Sequence, residues 1–203
     1  KQKPFSDLVK FIEEECDKYG VILDLRDTKN IIPAKGIICS GYFMDKPATL
    51  CCATKSSMYK HTLAHEYCHM KQWLEGYHLW GIAGTGNAMI SHWLEGNEVR
   101  NIKSHIRNAR NLELDNEKRT LKLIKKYDCG IKPDAYVKNA NAYILFYNWL
   151  LETRKWSRPN NNPSLNKNIS PVLASASQVL SLGVAKAPMV SAPTSSGEST
   201  TTL

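Results

Sequence analysis

Two histidines and a glutamate near residue 65 have the types and the spacing of a metal site. They are His65, Glu66 and His69, in the order His-Glu-x-x-His. No proline or glycine interrupts residues 58–75, and apolar residues recur there at helical intervals, so we predict a helix across this segment. Positions i and i+4 of a helix share a face, which allows both imidazoles to bind one tetrahedral metal ion.

Glu66 is the residue of this pattern with a chemical role beyond binding. Because it follows His65 by one position, its carboxylate is turned by about 100° around the helix, to the side of the metal. A carboxylate there can act as a general base toward a water molecule that the metal activates. On a helix the pattern is typical of zinc peptidases, so we predict Zn²⁺ as the cofactor, His65 and His69 as ligands and Glu66 as the catalytic base. The alternative is an amphipathic helix whose histidines are buried or solvated without a metal.

A third protein ligand has to come from another element, since catalytic zinc sites use three protein ligands and keep one position open. The glycine-rich residues 76–86 are predicted to form a loop that rims the cleft, and residues 90–100 then resume helical periodicity. This second helix offers His92, Glu95 and Glu98. The two glutamates share a face, so one can bind the metal while the other supports it. We predict Glu98 as the ligand, with Glu95 as the alternative.

Other side chains are candidates for orienting the site or for stabilising the transition state. Glu95, or Asn101 one turn after Glu98, could accept a hydrogen bond from a ligand histidine. Tyr143 and Tyr147 lie four residues apart on one face of a later predicted helix. A tyrosine hydroxyl there could donate to the oxyanion of a tetrahedral intermediate, although packing in the core is the commoner role of such residues.

The remaining elements follow from apolar periodicity and from turn residues. Helices are predicted over residues 5–19, 115–127 and 139–156, and strands over residues 21–25, 36–40 and 48–53. Gly41 and the turn at residues 45–47 are expected to separate the strands. The strand just before the histidine helix is either buried or an open edge along the cleft, where an extended substrate could pair with it.

Composition limits the class of protein. The chain has 203 residues, of which 42% are hydrophobic, enough for one domain with an extension. No apolar run approaches about eighteen residues, so no membrane span is predicted. The six cysteines form no CxxC pair. This favours reduced thiols and a cytoplasmic location, with a virion or another particle as the alternative.

Two further stretches bear on partners. The net charge is +8, and residues 118–126 form a basic helical stretch that could contact an acidic or nucleic-acid partner. A solvated helix face is the alternative interpretation. From residue 159 to residue 203, proline, serine, threonine, alanine and asparagine dominate, which predicts a tail that is disordered or docked on a partner.

The segment Thr62–His69, which reads TLAHEYCH, resembles the ImmA/IrrE group of small zinc peptidases, as do Gly41-Tyr42 before it and Glu95…Glu98-Val99 after it. The resemblance covers residues 5–110 and implies a gluzincin-type domain with two histidines and a glutamate on zinc and a glutamate as base. It also implies limited proteolysis of a protein partner such as a transcriptional repressor. Tyr67-Cys68 depart from the Leu-Gly that is usual there, and the two glutamates are spaced by three positions instead of two.

These observations predict an α+β fold with a minimal zincin-like domain built from an N-terminal helix, a small sheet, the His-Glu-x-x-His helix and a ligand helix. The predicted units are residues 1–112 for this domain, 113–158 for a helical extension and 159–203 for the tail. The predicted function is that of a zinc-dependent endopeptidase acting on a protein or peptide substrate. One alternative is a non-catalytic zincin scaffold in an assembly, such as a phage particle. Another is a DNA-associated protease similar to the SprT-like enzymes, whose usual cysteine zinc ribbon is missing here.

Overall fold

The computed structural model describes residues 1–34 and 37–156, which form an α+β fold of five helices and two small sheets. The tail predicted over residues 159–203 lies outside the described residues. In chain order the elements are α1 (Phe5–Tyr19), β1 (Ile22–Arg26), β2 (Ile31–Ala34), β3 (Ile37–Cys39), β4 (Gly41–Asp45), β5 (Ala48–Ala53), α2 (Tyr59–Leu74), α3 (Trp80–Leu94), α4 (Ile102–Lys126) and α5 (Pro133–Thr153).

The first helix has the bounds that the sequence predicted. Leu8, Ile12 and Cys16 recur at helical spacing on its buried face. Gly20 ends the helix in the left-handed conformation, with φ of 66°, which glycine adopts without a steric cost. Its buried face packs into the main core together with β5 and α2.

The three-stranded sheet has the order β1-β5-β4, with β5 parallel to β1 and antiparallel to β4. The strand predicted over residues 48–53 is confirmed as β5, and it is the central, buried strand. Among the described residues, the edge on the side of the cleft therefore belongs to β4 and not to β5. Strands β2 and β3 form a separate antiparallel pair beside this sheet.

Strand β4 begins at Gly41, where a break between strands was predicted. A Cβ atom at Gly41 would lie 2.7 Å from both Cys52 Sγ and Thr62 Cγ2. The glycine is therefore required by the close approach of β4 to β5 and α2, and it does not interrupt the strand.

The histidine helix is confirmed as α2, which packs against β4 and β5 on one side and α4 on the other. The next prediction is wrong, because residues 80–86 belong to helix α3 and not to a loop. Ala83, Gly86 and Ile90 are buried at helical spacing on α3. Packing against α4 stabilises this helix in spite of the low helix propensity of its glycines.

Helix α4 is longer than predicted, with 25 residues, and it passes through the predicted unit boundary at residues 112 and 113. It contacts α2, α3 and α5, so it joins the histidine helix to the helical extension. Helix α5 begins at Pro133, six residues before the predicted start at residue 139, because proline is well suited to the first turn of a helix. In the described part of the chain, no helix has the length and apolar character needed to cross a membrane.

Candidate metal centre

Three side chains from two helices converge at the centre of the molecule. His65 and His69 project from α2, and Glu113 projects from α4. The Glu113 Oε2 atom lies 3.7 Å from His65 Nε2 and 3.5 Å from His69 Nε2. Over residues 1–34 and 37–156, these three side chains form the one group of histidines, cysteines and carboxylates whose ligand atoms all lie within 4.8 Å of one another.

The two distances to Glu113 are close to those between atoms that share a cation, while the three ligand atoms together span up to 4.8 Å. Zinc–nitrogen and zinc–oxygen bonds of about 2.0–2.1 Å in a tetrahedron place the donor atoms about 3.4 Å apart. Glu113 Oε2 is buried, and its contacts to the two histidine nitrogens are too long or too poorly aligned to count as hydrogen bonds, so a cation between the three groups would compensate for its burial. Two imidazole nitrogens and one carboxylate oxygen are also the donor set of many catalytic zinc sites. The residues present therefore fit a zinc ion.

The orientation of His69 is set by the fully buried Gln72 one turn later on α2. His69 Nδ1 lies 2.9 Å from Gln72 Oε1, while Gln72 Nε2 donates to Leu112 O at 3.0 Å and to Asp115 Oδ2 at 2.9 Å. Since the amide nitrogen already donates to two oxygens, the amide oxygen must accept from His69 Nδ1–H. The lone pair of the imidazole is then on Nε2, which faces Glu113.

His65 is oriented by a second carboxylate of α4. Its Nδ1 atom lies 3.4 Å from Oε1 of the buried Glu117. The Tyr136 hydroxyl on α5 donates a short hydrogen bond to Glu117. A chain of polar contacts therefore leads from α5 through Glu117 to the ring of His65, and it leaves His65 Nε2 directed at Glu113.

Burial opposes charge on all these groups, and their mutual contacts offset it. Burial by itself would lower the pKa of His65, but Glu117 and the other nearby carboxylates raise this pKa overall. Burial would likewise raise the pKa of Glu113, but His69 and His65 hold it below its usual value. The carboxylates therefore stabilise positive charge at this point, which either a proton on a histidine or a bound cation can supply.

Glu66 has a different electrostatic environment from Glu113. Burial raises the pKa of the Glu66 carboxyl, although the two histidines act in the opposite direction. The residue does not belong to the three-residue cluster. It borders two cavities of about 420 and 490 Å³, and His65, Gly41 and Tyr143 line both of them as well. Glu66 is therefore beside the cluster and accessible to a molecule in either cavity.

The two cavities differ in their walls. Apolar atoms form most of the wall of the first one, to which Ile38, Met58, Ile131 and Ala140 contribute, although polar residues such as His61 and Asn139 also line it. The second is bordered by β4 and by α3, including Gly81 and Gly84 from the glycine-rich stretch. The prediction that this stretch rims the cleft is thus consistent with the structure, although its residues are helical.

Tyr143 of α5 borders the candidate site. It lines both cavities, and its hydroxyl lies 3.3 Å from the hydroxyl of Tyr147, which is not in the lining of either cavity. Burial, followed by the charge of Glu113, raises the pKa of Tyr143 well above its ordinary value. The hydroxyl is therefore protonated at neutral pH and can donate a hydrogen bond into the cleft.

The predicted third ligand, Glu98 or alternatively Glu95, is not near the histidines, and the carboxylate that lies with them is Glu113. Helix α3 ends at Leu94, which leaves both glutamates in the turn that follows it. The Glu95 side chain is 71% exposed and lies 3.8 Å from His92 Nδ1. Glu98 lines a separate surface cavity. The Arg154 side chain holds this turn in place by donating to the carbonyl oxygens of Trp93 and Asn97.

Asn101 is also outside the site. It is exposed, it has a φ of 60° and it immediately precedes α4. Its backbone carbonyl accepts the amide hydrogens of Ser104 and His105, so the residue has a role at the start of the helix. The supporting role predicted for Asn101 and Glu95 belongs instead to Gln72 and Glu117.

Glu113 and Glu117 could have been recognised from their surroundings in the sequence. They are four positions apart, and they interrupt an otherwise apolar or small stripe formed by Ile106, Ala109, Thr120 and Ile124. Carboxylates on the buried stripe of an amphipathic helix need a partner, such as a cation or a histidine. This signal is visible only when the helix extends back to residue 102, whereas the predicted helix begins at residue 115.

Comparison of the chain with family models, with curated proteins and with solved structures found no match. The resemblance to the ImmA/IrrE peptidases therefore stays a prediction from the sequence. The assignment of function depends on the geometry of the described residues and on general chemistry.

Proposed function

We propose that this protein is a zinc-dependent endopeptidase with a zincin-like, gluzincin-type active site. The observation that carries the proposal is the convergence of His65, His69 and Glu113 on one point, with the carboxylate of Glu66 beside them at the junction of two cavities. In this proposal His65, His69 and Glu113 hold the metal. The α+β fold supplies the two helices that carry them. When bound, zinc would supply Lewis-acid activation of a water molecule and of the substrate carbonyl group.

Glu66 acts as the proton carrier. One carboxylate oxygen takes a proton from the attacking water, and the same group then delivers it to the nitrogen of the departing amine, so that proton count and charge balance over the cycle. Burial supports this role because it raises the pKa of Glu66 toward the range in which a carboxyl can both accept and release a proton. A buried carboxylate that served only the fold would be a net cost to stability.

Tyr143 supplies a hydrogen-bond donor to the reacting carbonyl. Negative charge develops on the carbonyl oxygen as water adds, and a donor fixed in place stabilises that charge in the transition state. Tyr143 lines both cavities next to Glu66, and its raised pKa keeps the proton on the hydroxyl. Tyr147 contacts the Tyr143 hydroxyl and helps to position it.

The substrate is proposed to be an extended segment of a protein or peptide. Strand β4 has one edge paired with β5, and in the described structure its other edge has no strand partner. Backbone hydrogen bonds to this free edge would align a peptide along the second cavity, which Gly41, Tyr42 and Phe43 border. The apolar cavity on the other side of Glu66 can accept a hydrophobic side chain adjacent to the scissile bond.

The cysteines support a reducing compartment, and a cytoplasmic location is part of this proposal. All six lie among the described residues and are free thiols. Disulfides are common in oxidising compartments and rare in the cytosol.

The test is zinc analysis of the purified full chain beside matched variants. We expect one zinc ion per chain in the parent, in Glu66→Gln and in the control Glu98→Gln, and loss of zinc in His65→Ala and Glu113→Gln. Cleavage of fluorescently labelled casein should then require both zinc and Glu66. Absence of zinc from the parent after reconstitution would overturn the proposal, as would casein cleavage by Glu66→Gln at the rate of the parent.

A further inference from the structure

One face of α4 carries six positively charged side chains, three toward each end of the helix. With about 100° per residue, Lys103, Arg107, Arg110, Lys118, Lys122 and Lys125 fall within one arc of about 120°. We call these six residues the basic ridge. Five of them are exposed, and Arg110 is half-buried. At about 1.5 Å per residue, the ridge extends over about 33 Å.

The charges of the basic ridge are not neutralised by neighbouring carboxylates. Within residues 1–34 and 37–156, none of its six members takes part in an ion pair. The acidic residues of α4 are Glu113, Asp115 and Glu117, of which the first and third face the candidate metal centre. Asp115 is bound by Arg119 and Gln72. Arg110 contacts only amide oxygens, which leave its charge intact.

Repulsion within such an array of like charges lowers the stability of the free protein. Binding of an anionic partner reduces this repulsion. The partner has to offer several negative charges over tens of ångströms to a convex helix. The phosphate backbone of a nucleic acid does this, since its major groove, about 12 Å wide, admits a helix with phosphates on both flanks. A membrane fits less well, because none of the exposed large hydrophobic side chains in the described structure lies on α4.

We propose that the basic ridge on α4 binds the phosphate backbone of nucleic acid. This deepens the sequence-based prediction for residues 118–126, because the contact surface also includes Lys103, Arg107 and Arg110 at the other end of the helix. The inference does not rest on the proposed peptidase function, since none of the six ridge residues is among those that would hold zinc. It implies that a nucleic acid and a peptide could be bound at the same time, on different faces of α4.

The test is fluorescence anisotropy of a labelled duplex DNA of about 30 base pairs with the full chain, measured from 50 to 200 mM salt. Contacts to six phosphates predict a slope of about −5 for the logarithm of the binding constant against the logarithm of salt concentration. The variant Lys118→Gln/Lys122→Gln/Lys125→Gln should weaken binding by about tenfold or more and reduce the slope by about 3 units, one for each lost contact.

The control variant removes the same net charge from exposed lysines elsewhere: Lys10→Gln/Lys29→Gln/Lys46→Gln. The proposal expects this control to bind like the parent. Equal weakening in both triple variants would mean diffuse attraction by net charge and would overturn the proposal. Absence of duplex binding at 50 mM salt would also overturn it, as would binding to phosphatidylserine vesicles in preference to DNA. The Glu113→Gln variant should retain DNA binding, which separates this result from the outcome of the zinc test.

Discussion

Glu113 and Glu117 lie one turn apart on the same face of α4, and each contacts a different nitrogen of His65. Glu113 Oε2 is 3.7 Å from Nε2, and Glu117 Oε1 is 3.4 Å from Nδ1. One helix thus supplies both a donor for the proposed zinc ion and the group that orients a histidine of the other helix. Tyr136 connects the same arrangement to α5 through its bond to Glu117.

Glu117→Gln should weaken zinc binding by about 10- to 100-fold without unfolding the protein, because the amide keeps the shape but loses the charge that orients His65. Competition with a fluorescent zinc chelator measures the affinity, and circular dichroism checks the fold. Tyr136→Phe is the matched variant and should give a smaller loss, since it removes only the donor to Glu117. Unchanged affinity in Glu117→Gln would show that the carboxylate does not orient the ligand.

Gln72→Leu should destabilise the protein by about 1–3 kcal/mol, because a buried side chain of similar size would then leave His69 Nδ1 without its acceptor. Gln72 is fully buried, and its amide bonds Leu112 and Asp115 as well as His69. Urea denaturation of the zinc-free protein measures this effect apart from metal binding. A variant as stable as the parent would contradict the hydrogen bonding assigned to Gln72.

Tyr143→Phe should reduce kcat for peptide cleavage by about 10²–10³-fold, the usual effect of removing one transition-state donor, with zinc content unchanged. KM should change much less, because the bond is made to the charge that develops during the reaction. Tyr147→Phe is the control, and its effect should be smaller because the residue only contacts Tyr143. Equal losses in the two variants would point to packing of α5 instead of hydrogen-bond donation into the cleft.

Gly41→Ala should destabilise the protein by about 1–3 kcal/mol, the usual cost of an overpacked core, and should reduce activity as well. The added methyl group would lie 2.7 Å from Cys52 Sγ and from Thr62 Cγ2, at a position that lines both cavities. Gly81→Ala is the matched variant, because nothing lies within 4 Å of its Cβ position on α3. It should be neutral or more stable by up to about 1 kcal/mol, since alanine is the better helix former. Thermal unfolding of both variants decides the comparison.

Local sequence patterns were sufficient to predict those helices and strands whose bounds depend on their own residues. The apolar periodicity of residues 5–19 predicts α1 with the observed limits, and the apolar run of residues 48–53 predicts β5. The pair His65 and His69 is likewise a local feature, since both residues lie on one turn of α2. These parts are predictable because the period of a helix or strand is written in consecutive residues.

Tertiary packing determined which carboxylate lies beside the two histidines. The sequence by itself determined that His65, Glu66 and His69 share the α2 helix, but which carboxylate lies with the two histidines depends on which helix packs against them. Glu98 was excluded because α3 ends at Leu94, and Glu113 was included because α4 crosses α2. Neither the end of α3 nor the crossing of α4 over α2 is visible in local periodicity. The glycine-rich residues of α3 are helical because one face of this helix is buried against α4. Contact between segments that are distant in the sequence brings the Glu113 carboxylate to the histidines.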